Sequence, residues 1–168
     1  PSSHRALARW GALRAQSARG AADLVAAETS LQRAHDLNPE ETGALLALGE
    51  ISLLLGDRAR AEQRLGAVCA ANPRAAEGLF LLGYLHWTRG DERQATELLA
   101  RTRAALGNDW KPRGSTAEGD VARKAHEDTT PLVRFLESWN GSGRPRDAYA
   151  DLDRHLRKVS VGEARRPG

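Results

Sequence analysis

TGALLALGEISLLLGDRARAEQRLGAVCAANPRA (42–75) and AEGLFLLGYLHWTRGDERQATELLARTRAALGND (76–109) are consecutive 34-residue stretches that align without a gap. Leu48-Gly49 faces Leu82-Gly83, Gly56-Asp57 faces Gly90-Asp91, and Ala61 and Leu65 face Ala95 and Leu99. The step continues upstream, where Ala27 precedes Ala61 and Asn38-Pro39 precedes Asn72-Pro73 by one period. A fixed period of this length marks a stacked helical-repeat architecture. Such stacks work through an extended surface, which points to binding before catalysis.

Each offset has a physical cause. Leu45, Leu48 and Ser52 fall at i, i+3 and i+7 and share one helix face. Gly49 and Gly83, without side chains, let a neighbouring helix approach, as Ala61 and Ala95 do on the second helix of each unit. Each Gly-Asp pair predicts a helix stop at Gly followed by an N-cap at Asp. Pro39 and Pro73 cannot continue a helix interior and pull the preceding Asn out of helical geometry.

These recurring positions resemble the tetratricopeptide repeat, a helix–turn–helix unit of 34 residues. The resemblance implies an all-α fold, a right-handed superhelical stack (an α-solenoid), within one domain. Its units run over 8–41, 42–75 and 76–109. The first is degraded: its second helix is clear from Asp23, Ala27, Leu31 and Ala34, while its first fits only with an extra residue in the turn, Trp10 and Leu13 standing for Leu45 and Leu48. Residues 110–128 break the period as an insertion. Within it Ser115-x-x-Glu118 predicts a capping box for a short helix over 117–127. Thr130-Pro131 predicts a helix start. From there 129–160 forms a helical hairpin or a divergent unit, laid on the template through Leu132, Phe135, Trp139, Gly143, Ala148 and Leu152, and 161–168 is a frayed tail.

In this family the ligand lies along the concave face made by the first, or A, helices. Carried onto this chain, the face comprises Leu46, Glu50, Leu53 and Leu54, then Glu77, Phe80, Tyr84, Trp87 and Thr88. Phe80, Tyr84 and Trp87 follow i, i+4 and i+7, so three aromatic side chains share one stripe. The stripe either anchors a partner or packs inside the core under the next helix or the insertion; both readings stay open. Family members that grip the C-terminal carboxylate motif of heat-shock chaperones use Lys, Asn and Arg on their A helices. The matching positions here are Ala12 and Gln16 (or Gly11 and Ala15), Ala47, Glu77 and Leu81, which supply no such clamp. The expected partner is therefore an apolar or amphipathic peptide or protein.

Composition narrows the alternatives. The chain has 168 residues, starts at Pro1 and lacks Met, as expected of a processed protein or a piece excised from a longer one. No apolar run approaches the roughly 18–20 residues that cross a bilayer, so no membrane insertion is expected. The compartment is left open. Residues 1–109 balance 13 Arg against 13 Asp and Glu, and 110–168 add 12 Lys and Arg against 9 acids. The signs are interspersed, without the concentrated stripe of a nucleic-acid binder. Cys69, the single cysteine, is read as a small apolar group. No phosphate loop, nucleophile elbow or catalytic triad order is visible, so neither enzyme activity nor a cofactor is expected. His4, His35, His86, His126 and His155 are scattered, and His86, at a repeat packing position, reads as a hydrogen-bonded core side chain. Two other functions remain: an assembly subunit acting through stack ends and the 110–128 insertion, and a helical metal- or ligand-binding protein using His126, Asp151 and His155.

Overall fold

A computed structural model describes residues 21–108, Trp110 and residues 132–159. The expectations placed on Trp10 and Leu13, on a helix over 117–127, on His126, on Thr130-Pro131 and on the tail lie outside the described residues. Within them the protein is all-helical, with seven helices and no strand. They are α1 (Ala21–Leu37), α2 (Thr42–Leu54), α3 (Arg58–Ala71), α4 (Ala76–Thr88), α5 (Glu92–Leu106), α6 (Val133–Ser138) and α7 (Pro145–Val159). Each of α1 to α4 packs against the next in sequence, as in a stack of helical repeats.

The repeated turn chemistry sets where these helices stop. After α2, Gly56 stands at φ 78°, a conformation that side chains with a Cβ resist. The Gly56 N–H donates to Leu53 O at 3.1 Å and the Asp57 N–H to Ser52 O at 2.8 Å, closing a Schellman end. The Asp57 carboxylate then accepts from the Arg60 N–H at 3.1 Å and opens α3. One period later Gly90 stands at φ 88°, its N–H and that of Asp91 donating to Trp87 O and His86 O. Asp91 in turn accepts from the Gln94 N–H at 3.2 Å and opens α5.

The two helix types differ in burial, and the difference decides where a site can form. α2 and α4 are apolar nearly all round and buried on most positions, from Ala44 to Leu54 and from Ala76 to Leu85. A helix of that kind needs neighbours on several sides. By contrast, α3 buries only Ala61, Leu65 and Val68, and α5 only Ala95, Leu98, Leu99 and Thr102. Among the described residues, the C-terminal helices add cover: α7 packs on α2, α4 and α5, and α6 packs on α4.

The close approach at Gly49 makes a prediction with opposite signs at two glycines. A Cβ on Gly49 would lie 2.8 Å from Leu65 Cδ2 and 2.9 Å from Leu65 Cγ, whereas one on Gly66, inside α3, would meet nothing within 4 Å. Gly66→Ala is expected to stabilise the protein by about 0.5–1 kcal/mol, the entropy a helix interior loses to Gly. Gly49→Ala is expected to be net destabilising, overpacking of about 1–3 kcal/mol outweighing the same propensity gain. Urea denaturation of the two variants measures both shifts.

Candidate functional site: an aromatic socket on the A-helix face

The face made by α2 and α4 holds a helix of the same chain. α7 carries its apolar residues at Pro145, Ala148, Tyr149, Leu152 and Leu156, spaced so that all fall on one side. That side lies on the Phe80/Tyr84/Trp87 stripe. Tyr149 is at the centre, with ring centroids 4.9 Å from Phe80, 5.8 Å from Tyr84 and 6.0 Å from Trp87. Trp139, just after α6, continues the cluster at 5.8 Å from Phe80 and 5.5 Å from Trp110. The tilted and edge arrangements are those that aromatic quadrupoles favour.

Tyr149 fits because Gly83 makes room. A Cβ at position 83 would land on the Tyr149 hydroxyl. The hydroxyl instead donates to the Phe80 carbonyl at 2.8 Å, so a buried polar tip is satisfied at the bottom of an apolar socket. Burial pushes this phenol well above its ordinary pKa, and it stays protonated as the donor. At the rim, the Tyr84 hydroxyl donates to Asp153 Oδ1 at 2.8 Å, and the Arg157 guanidinium donates to Asp153 Oδ2 at 2.8 Å. Tyr149 and Asp153 thus form an i, i+4 pair on α7 that engages two α4 residues.

The residues expected to line a groove divide accordingly. Phe80, Tyr84, Leu53 and Leu54 are buried. Glu50 is only 1% exposed, and its Oε2 accepts the Leu132 N–H at 3.2 Å, tying α2 to the start of α6. Of the two readings left open for the stripe, Phe80 and Tyr84 follow the one inside the core, with Tyr149 packed on both and Trp139 on Phe80. Leu46, Glu77, Trp87 and Thr88 stay half-buried, and the Thr88 hydroxyl turns back to Leu85 O at 2.9 Å. Sequence reasoning missed Tyr149, although its signal was present in the α7 spacing.

Polar ties link successive repeats beside this face. Arg64 Nη1 donates to Glu28 Oε2 and to Ser52 Oγ, both at 2.7 Å, joining α3, α1 and α2. One period later, Glu62 Oε2 accepts from Arg89 Nη1 at 2.6 Å, and Arg89 Nη2 lies 2.8 Å from His86 Nδ1. His86 therefore occupies the repeat position of Ser52 and is hydrogen-bonded there.

Among the described residues, Asp151 and His155 do not converge on one site. Asp151 pairs with Arg154 at 3.1 Å, while the His155 ring lies 5.2 Å from Phe135 and beside Arg134. Desolvation, then repulsion by Arg134 and Lys158, lowers the His155 pKa, so this imidazole sits among cations. Among the described residues no group of three or more His, Cys, Asp or Glu side chains is placed to hold a metal ion. Cys69 is half-buried and burial pushes its thiol up, against a smaller opposing effect of Arg101. No helix among the described residues is long and apolar enough to cross a membrane. No family model matches the sequence, and no curated protein matches it.

Proposed function

We propose that this chain is a tetratricopeptide-like module, a right-handed superhelical stack of helix–turn–helix units, that works without catalysis by holding an amphipathic helix of a partner protein on its A-helix face. The observation that carries the reading is α7 itself: the face accepts a helix through a Gly83-floored aromatic socket, with a buried acceptor at Phe80 O. This is the helix-in-groove mode, in which apolar residues at i, i+3, i+4 and i+7 enter a hydrophobic groove. The surrounding charge gives no basic clamp for a chaperone C-terminal carboxylate and no stripe for nucleic acid. In this chain α7 occupies the face, so a partner helix of matching chemistry competes with it.

A peptide of residues 145–159 tests the reading. Added to full-length Tyr149→Ala, whose own anchor is removed, the labelled peptide is expected to bind saturably and to perturb Trp87 emission. Wild type is expected to bind it far more weakly, because its tethered α7 competes at an effective concentration in the mM range. A Tyr-to-Ala peptide should lose the binding. A folded Tyr149→Ala protein, checked by circular dichroism, that ignores the peptide would sink the proposal.

A further inference from the structure

We infer that the occupant of the socket exchanges between copies: α6–α7 of one chain docks on the A-helix face of a second copy, giving a reciprocal dimer. The inference rests on the helix-receptor reading of that face. A second copy supplies a helix that is complementary by construction. The bonds from Tyr149 to Phe80 O, from Tyr84 to Asp153 and from the Leu132 N–H to Glu50 can form with a second copy as they do within one chain. Cis and trans docking then differ only in the connection and in contacts between the two stacks, which is why exchange of an identical element is a low-cost route to dimers.

The pair also leaves as a unit. The Phe135 ring on α6 lies tilted against His155 of α7 with centroids 5.2 Å apart, and Arg134 lies beside the same imidazole. The Trp139 indole donates to Ser142 O at 2.9 Å across the connection between the two helices. What departure uncovers is apolar: Phe80 and Tyr84, buried in the closed form, have Tyr149 and Trp139 packed on them. Leaving these in water is costly enough that the face refills, by its own helix or by another copy's. The segment 111–131 joins Trp110 to the pair and spans up to roughly 70 Å when extended, far more than the ~15 Å radius of gyration expected for a chain this size. Chain length therefore permits both routes, and concentration chooses between them.

Two full-length variants separate cis from trans. Gly83→Leu fills the socket but keeps an intact α7, and Tyr149→Ala keeps the socket but loses the anchor. Light scattering of each alone is expected to give mainly the 18.2 kDa monomer, and an equimolar mixture a 1:1 complex of twice that mass. A mixture of folded variants that stays monomeric overturns the exchange. If the 145–159 peptide nevertheless binds Tyr149→Ala, the helix-receptor reading survives and only the exchange falls; if the peptide also fails, both fall. Wild type gives a check that needs no variant. Its dimer fraction should rise as concentration approaches the mM range of the tether, and excess 145–159 peptide should remove it. A mass that stays monomeric throughout, or a dimer untouched by the peptide, overturns the inference.

Discussion

Tyr149→Ala is expected to destabilise the protein by about 3–5 kcal/mol, the range for truncating a buried aromatic side chain. The side chain is 0% exposed and packs on Phe80, Tyr84 and Trp87 at centroid distances of 4.9, 5.8 and 6.0 Å. Its loss removes the ring contacts and leaves a void between α4 and α7. Tyr149→Phe isolates the hydroxyl: the ring stays, the bond to Phe80 O goes, and the expected cost is about 1 kcal/mol. The loss on Tyr149→Ala has a ceiling, because α6–α7 can undock and so limit the damage to the docking free energy. Adding Leu152→Ala is therefore expected to cost much less than its single effect, a non-additivity that reports one cooperative unit. Urea denaturation followed by tryptophan emission measures wild type, Tyr149→Ala, Tyr149→Phe, Leu152→Ala and the double variant. A loss below about 1 kcal/mol for Tyr149→Ala would mean that the socket does not anchor α7.

The elements α2 to α5 were legible because their signals are local. Gly56-Asp57 and Gly90-Asp91 both end one helix and start the next through bonds within six residues, so the turn chemistry alone carries them. The use of the A-helix face was not legible in the same way. Phe80, Tyr84 and Trp87 have the same spacing whether a foreign helix or α7 lies on them, and only tertiary contact separates those cases. The C-terminal pattern misled in one particular. Laying Leu132, Phe135 and Trp139 on the repeat template implies a full A helix, yet α6 covers only Val133–Ser138. Trp139 adopts extended geometry, φ −61° and ψ 133°, so that its ring reaches Phe80 and Trp110 and its indole N–H reaches Ser142 O. An aromatic side chain needed elsewhere stops that helix. Glu50 shows the same limit: nothing local says that a glutamate on an apolar helix accepts an N–H from Leu132, far along the chain.

Arg64→Ala is expected to cost about 2–3 kcal/mol, while Arg89→Ala, which removes the partner of Glu62, costs under about 1 kcal/mol. The two arginines serve glutamates one period apart, Glu28 and Glu62, at closely similar distances of 2.7 and 2.6 Å. Distance thus predicts equal effects, and burial predicts unequal ones. Arg64 and Glu28 side chains are 14% and 18% exposed, whereas Arg89 and Glu62 are 50% and 38% exposed. Removing Arg64 leaves a largely buried carboxylate with the more distant Arg60 guanidinium, at 4.0 Å, and also takes a donor from Ser52 Oγ and from Leu48 O, at 2.7 and 3.3 Å. Removing Arg89 leaves Glu62 and His86 with water close by. The exposed pair should also weaken as salt rises and the buried one should hardly respond, since screening reaches only charges in contact with solvent. Because Arg60, half exposed and at 4.0 Å, compensates the Glu28 charge only in part, Arg64→Met combined with Glu28→Gln should recover much of the Arg64 penalty. A double-mutant cycle in low and high salt checks both statements. If Arg64→Ala and Arg89→Ala cost the same small amount and share one salt dependence, the Glu28–Arg64 tie contributes no more to joining the repeats than an ordinary surface pair.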